Sequence, residues 1–379
     1  MAEMTGRERI EAAIALQPVD RVPIVPLAEN FAARHSAFTM ADVVRDFDIA
    51  RDVVARNFDE YGGWDAMSAP AVPINDLGFA MFGAAGKLPG RELGENELWQ
   101  ADERVVMQVE DYDFIQDHGW NAYLVKVYPS LGYLVPPEQL AARLGEIEAA
   151  DQKSICYWRD RGVSVYTGGG AGFGLDDISL TRSIKGLITD IYRRPDAVVA
   201  AIEAIVTEQL PQGIANFKAL RESTGGEPIT ICLASGVPTY LSPKNFERFF
   251  WPYFKAGVEQ IVDEGILINL HFDGDWTRYF EYFLELPAGK LVLELDGLSD
   301  IFKAKEILEG HMCIMGDVPA AMLSLGSARE VTDYCRKLID IVGKGGGFIL
   351  SSGCAAPTDT KPENFRAMIE TGKAYCPHS

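Results

Sequence analysis

No apolar run in this chain approaches the ~20 residues that a membrane helix needs. Basic residues are scarce, 35 Lys and Arg against 55 Asp and Glu, giving a net charge of −20. The acids are spread along the chain, which keeps a protein soluble and argues against nucleic acid or an anionic membrane as partner. It also disfavours a polyanionic substrate unless a local basic pocket overrides the global field. The six cysteines (156, 232, 313, 335, 354, 376) have no close spacing, so a disulfide framework is not expected. The start, Met1-Ala2-Glu3-Met4-Thr5, is polar and lacks the apolar core of a signal peptide. A reducing cytoplasm is the expected compartment. Phosphate loops end in Gly-Lys-Ser/Thr, which the glycine-rich run 168–174 lacks, and Gly168-x-Gly170-x-x-Phe173 misses the third glycine of a dinucleotide fingerprint. Close approach of substrate or of another backbone explains that run more simply.

What the chain does contain is a rhythm. Thr5-x-x-Glu8 has capping-box spacing, predicting an N-terminal helix to about Leu16. Residues 22–28 are short, apolar and proline-rich and read as a first strand, with helical segments around Met40–Tyr61. From Gly162 onward strands and helices alternate with short connections, which implies parallel strands and right-handed crossovers. The predicted strands end in glycine or polar residues: Gly168, Ser235-Gly236, His271-x-Asp273, Glu294-x-Asp296, Gly316-Asp317 and Ser352-Gly353-Cys354. Polar strand ends gathered at one face are the mark of a (β/α)8 TIM barrel. The expected architecture is therefore one barrel domain over 1–379, with an N-terminal helical extension. Residues 62–155 are read as short strands and an insertion or cap over one end. An open doubly wound sheet is the alternative.

The chemistry concentrates at Ile266–Trp276. Ile266–Leu270 is a buried-strand pattern that runs into His271, Phe272 and Asp273, and residues two apart on a strand face the same way. A loop whose acids cap the next helix would look the same. Cys354 follows the last strand and belongs to the same layer of strand ends. Zinc accepts imidazole, carboxylate and thiolate, and catalytic sites use three protein ligands and one open position. His271, Asp273 and Cys354 are one such set. Glu29, Glu294 and Asp296 are further polar candidates, and Tyr240, Trp276 and Phe173 are candidate walls that also read as ordinary packing. Cys232, Cys313 and Cys335, inside strands or a helix, read as buried and inert. His35, His118, His311, Cys376 and His378 have no evident partner.

Several segments resemble the uroporphyrinogen decarboxylase superfamily. They are Thr5-x3-Arg9-x3-Ala13, Val19-Asp20-Arg21-Val22-Pro23, Leu241-Ser242-Pro243, Trp251-Pro252-Tyr253, Gly316-Asp317-Val318-Pro319, Gly347–Cys354 and Pro362-Glu363-Asn364. The resemblance is weakest over 62–155 and implies the same barrel. The arginine-rich segment with which decarboxylases of the family grip substrate carboxylates is missing from Ala28–His35; Arg21, Arg34 and Arg182 are the obvious alternatives. The family's cobalamin-linked methyltransferases carry zinc on His-x-Cys and a distant cysteine. His271 and Cys354 match two of these ligands, and Asp273 stands at the third. A carboxylate is a harder ligand than a thiolate. This substitution suits polarising an ether oxygen while its methyl passes to cobalamin on a partner protein. The implied function is zinc-dependent methyl transfer from a methoxylated, aromatic small molecule to a corrinoid protein. The chain itself has no Asp-x-His-x-x-Gly corrinoid motif. A tetrapyrrole decarboxylase, a methylcobalamin:thiol methyltransferase and a non-catalytic ligand-binding barrel are the alternatives, and a homodimer stays open.

Overall fold

Strand register decides where every inward-facing side chain lies. The computed structural model describes residues 3–68, 85–102, 105–131 and 135–375. Its strands are β1 (Ala66–Ser68), β2 (Ala85–Lys87), β3 (Gln100–Asp102), β4 (Ser164–Gly170), β5 (Thr230–Ser235), β6 (Leu267–Phe272), β7 (Leu291–Leu295), β8 (Cys313–Asp317) and β9 (Phe348–Ser351). Seven of them form a sheet in the order β1-β4-β5-β6-β7-β8-β9, with every neighbour parallel. The strands β2 and β3 pair antiparallel apart from it.

The proline-rich segment 22–27 fills the eighth position. Ile24 bridges Leu350 of β9 in parallel. The Val25 amide donates to Leu350 O at 3.0 Å, Leu350 N donates to Pro23 O at 2.9 Å, and Asp65 N, next to β1, donates to Ile24 O at 2.9 Å. Pro23 and Pro26 have no N–H to give, so the ladder here is sparse, yet the segment joins the last strand to the first. The ring of eight is that of a (β/α)8 barrel.

Alternation along the strands sorts the core into two layers. Val25, Tyr166, Val292, Cys313, Met315 and Ile349 form an inner cluster with Ile10, Ala13 and Ile14. The opposite strand faces meet the surrounding helices in a larger outer cluster. The three residues from the N-terminal helix Gly6–Ile14, which Thr5 and Glu8 cap reciprocally, plug the barrel at the N-terminal ends of its strands. Arg9 donates to Asp20 at 2.6 Å and also to Asp65, which Arg21 holds at 2.7 Å. One end is therefore sealed by apolar packing and buried ion pairs, which leaves the C-terminal strand ends as the accessible mouth.

Three elements differ from expectation. The region 62–155 opens with a barrel strand, β1, before its short hairpin and the helices Asp111–His118, Trp120–Val127 and Pro137–Asp160. Residues 195–223, whose sequence reads as helix over Pro195–Gly213 and again over Ile214–Arg221, are one helix carrying Pro211 inside it. The stretch Asp176–Thr189, whose sequence reads as one helix, divides at Ser183, whose φ is 66°. Pro70, Pro73, part of the glycine-rich span 78–94, Cys376 and His378 lie outside the described residues. The run 168–174 serves backbone approach: a Cβ on Gly213 of the long helix would sit 2.7 Å from Gly170 O, and one on Gly174 would sit 2.9 Å from the Ile202 Cα.

Candidate active site

The strand β6 alternates as its sequence predicts. Ile268, Leu270 and Phe272 are buried in the outer cluster, while Asn269 and His271 face inward. The strand runs two residues past Leu270, so His271 lies within it, paired in register with Ala234 on β5 and Glu294 on β7. Asp273 follows directly, and the loop beyond is pinned. Asp273 N donates to Ser235 O at 3.1 Å, Gly274 N to Asp296 Oδ2 at 2.8 Å, and the Trp276 indole to Asp273 O at 2.9 Å. Cys354 arrives from β9 through Gly353, which adopts φ 70°; a Cβ there would lie 3.2 Å from Asp296 O. Only glycine fits both the conformation and the approach.

These segments bring His271, Asp273 and Cys354 together. The His271 Nε2 lies 3.8 Å from Asp273 Oδ1 and 4.0 Å from Cys354 Sγ, and one ligand atom from each of the three lies within 4.8 Å of the others. Zinc bonds of about 2.0–2.3 Å in tetrahedral geometry put ligand atoms roughly 3.3–3.8 Å apart. The group fits a zinc ion after contraction by a few tenths of an ångström to about one.

Behind the ring stands a polar column. His271 Nδ1 lies 3.0 Å from Glu294 Oε2. Asn269 Nδ2 donates to the same oxygen at 2.7 Å, and the Tyr166 hydroxyl donates to Asn269 Oδ1 at 3.2 Å. Glu294 is 1% exposed, and its other oxygen, Oε1, has no protein partner. The Glu294 charge holds the His271 pKa well above the usual imidazole range, although burial opposes it. A carboxylate on one imidazole nitrogen aims the other at a metal. Glu29, half-buried at the start of the helix Glu29–Arg34, shares this space. Burial, then the Glu294 charge, push its carboxyl up to about 8, and His271 opposes them. Asp273 is raised as well, by burial first, with Asp296, Glu294 and Asp176 adding to it.

The other expected residues separate into roles. Glu294 supports His271 rather than presenting itself to solvent. Asp296 is half-exposed and accepts from Gly274 N and Leu298 N. Tyr240 stands 66% exposed on the rim after β5. Trp276 corrects the expectation of a wall: it is fully buried, stacked on Phe272 at 4.1 Å, and buttresses the loop. Phe173 likewise packs edge-on against Phe254. Two inward residues, Asn269 and Tyr166, escaped the sequence analysis and build the column. Cys232, read as buried and inert, is half-buried beside it, its thiol pushed up to about 11 chiefly by burial. Period-2 alternation on β5, anchored by Ala234 opposite His271, is the signal that would have found Cys232. Two of the three arginines considered for carboxylate binding, Arg21 and Arg182, are spent on other carboxylates. Arg21 is held by Asp65 at the sealed end, Arg182 pairs with Asp190 at 2.7 Å, and Arg34 is exposed in the last turn of its helix. A separate groove of about 730 Å³ lies on the outer helical layer, between Arg336 and Arg366, away from this chemistry.

Comparison with known proteins now gives the class. The uroporphyrinogen decarboxylase (URO-D) family matches residues 179–375, just over half of the chain, and the chain belongs to that family. It is 23% identical over 382 aligned residues to the methylcobamide:CoM methyltransferase MtbA of Methanosarcina acetivorans, covering 99% of both chains. To the chloroplastic uroporphyrinogen decarboxylase of Zea mays it is 28% identical over 173 residues, 44% of this chain and 41% of that one. A solved structure of a methyltransferase from Methanosarcina mazei superposes with a TM-score of 0.71 at 16% identity, covering 98% of this chain and 99% of that one. The full-length relatives place the chain on the methyltransferase branch of the family, as an enzyme.

Proposed function

We propose that this protein is a zinc-dependent methyltransferase that moves a methyl group from a methoxylated, aromatic small molecule to a corrinoid carried by a partner protein, the first step of O-demethylation. The observation that carries this reading is the convergence of His271, Asp273 and Cys354 at the mouth of the barrel, in a chain similar along its whole length to a methylcobamide methyltransferase. His271, Asp273 and Cys354 would hold the zinc, which supplies a Lewis acid able to polarise a donor atom of the substrate. Glu294 and Asn269 fix the imidazole with Nε2 toward the mouth, so the ligand set is organised before anything binds. Asp273 makes that set harder than one with two thiolates, which favours an oxygen donor. The plugged lower end leaves one direction of approach, so substrate and corrinoid protein meet the site from the same side. Acidic composition and cysteines free of disulfides among the described residues support action in the cytoplasm. No described helix is long and apolar enough to cross a membrane.

Transfer from a methylated corrinoid to a thiol is the second reading, favoured by the name of the full-length relative; the harder carboxylate at 273 speaks against it. Incubating the protein with cob(I)alamin and a panel of methoxyarenes, and following the corrinoid spectrum, tests the first reading directly. Zinc below about a tenth of an equivalent in purified protein with an intact site would sink it.

A further inference from the structure

We propose that the methyl donor carries no anionic group: the site takes neutral or cationic methoxylated compounds and turns away those bearing a carboxylate or phosphate. This rests on the methyl-donor reading above and narrows it.

The observation is an acidic mouth without counter-cations. Elsewhere in the molecule several carboxylates with little exposure are matched by arginine. Asp20 and Asp65 have Arg9 and Arg21, Asp190 has Arg182 at 2.7 Å, and Glu227 has Arg7 at 2.8 Å. At the mouth, among the described residues, no lysine or arginine is bonded to Glu29, Asp273, Glu294, Asp296 or Asp176. The charged groups that bear on Glu29 are Glu294 and His271. Those bearing on Asp273 are His271, Asp296, Glu294 and Asp176. His271 is the one basic side chain in either set. Arg278, on the rim, spends its guanidinium on the carbonyls of Thr239 and Leu241 and lies over the Tyr279 ring.

A divalent ion does not reverse the sign. The carboxylates of Asp273, Glu294 and Asp296 with the Cys354 thiolate bring four negative charges against two positive, and an ionised Glu29 would add a fifth. A second observation points the same way. Glu294 Oε1 is an acceptor without a donor, on a residue 1% exposed at the base of the site. Asp176 spends its carboxylate on Ser235 Oγ, Gly236 N and Val237 N, so it tightens the β5 loop without neutralising the mouth. Asp273, with 59% of its side chain exposed, presents a carboxylate to the incoming ligand. In this partly desolvated field like charges repel far more than they do in water.

Isosteric ligands separate charge from shape. Zinc-loaded protein, without corrinoid so that no turnover occurs, is titrated with para-methoxybenzyl alcohol, para-methoxybenzylamine and para-methoxybenzoate. The alcohol and the amine should bind at least about tenfold more tightly than the benzoate at low salt. That gap should narrow at high ionic strength and in Asp296→Asn. Benzoate binding as tightly as the alcohol would overturn the inference. No binding by any of the three would overturn the methoxyarene reading, and the inference with it. Binding in the expected order, with no methylation of cob(I)alamin when it is then added, would support the charge selection and count against methyl donation as the function.

Discussion

His271 shows how one residue is made specific by its neighbours. A histidine at a strand end is ambiguous until the opposite strand is known, because register alone puts Glu294 on its Nδ1. The sequence carried His271, Asp273 and Cys354, since strand-end polarity and period 2 are local signals. It did not carry Glu294's role, nor Asn269 and Tyr166, because a cross-strand partner is visible only after the strands are aligned. Changing His271 or Cys354 to Ala should abolish both zinc retention and methyl transfer; full transfer by Cys354→Ala would refute the site. Glu294→Gln keeps the packing but weakens the hold on the imidazole, so zinc affinity should fall about 10–100-fold in a chelator competition while the fold survives. Asp273→Cys softens the ligand set and should slow ether demethylation at undiminished zinc content. An unchanged rate would count against the oxygen-donor argument.

At the level of elements, most boundaries were legible because each strand ends in, or is followed directly by, glycine or a polar residue and most helices begin at a capping signal or at proline. Two kinds were not. Pro211 marks a break by local rules, yet residues 195–223 stay helical, because packing of Val198, Ile202, Ile205 and Phe217 into the core outweighs one lost backbone bond. The strand β1 is only three residues long, too short for periodicity to show, so its membership of the barrel was hidden. The glycine-rich run was legible as a place of close approach. Gly213→Ala should therefore lower stability by about 1–3 kcal/mol, seen as a fall in the urea midpoint, since the methyl meets Gly170 O at 2.7 Å.

For the molecule as a whole, surplus negative charge couples stability to pH. Asp317, 2% exposed at the end of β8, has its carboxyl pushed from 3.8 up to about 7 by burial, although the Tyr334 hydroxyl donates to it at 2.7 Å. The folded protein keeps a proton that the unfolded chain gives up. Its contribution is whole below the unfolded value and drains away as pH rises toward 7. Asp177, pushed up to about 6 mainly by burial, has the same sign. Urea midpoints should thus fall between pH 5 and pH 8, and Asp317→Asn should flatten that fall; an unchanged slope would show that Asp317 is ionised throughout. The barrel itself was legible from the alternation of elements, and residues 22–28 read as its first strand, but the pairing of that strand with β9 was not, because partners so far apart in sequence are seen only once the strands are aligned.

That seam has a consequence for how the protein is made. Residues 22–27 are translated early, yet their partner in β9 is Leu350. Until the ribosome has released almost the whole chain, the nascent barrel exists as an open arc with two unpaired edges, at the first segment and at β8. Open edges are templates for pairing with other chains. A product stopped just before residue 348 should then recover in inclusion bodies under conditions that keep the full chain in the supernatant.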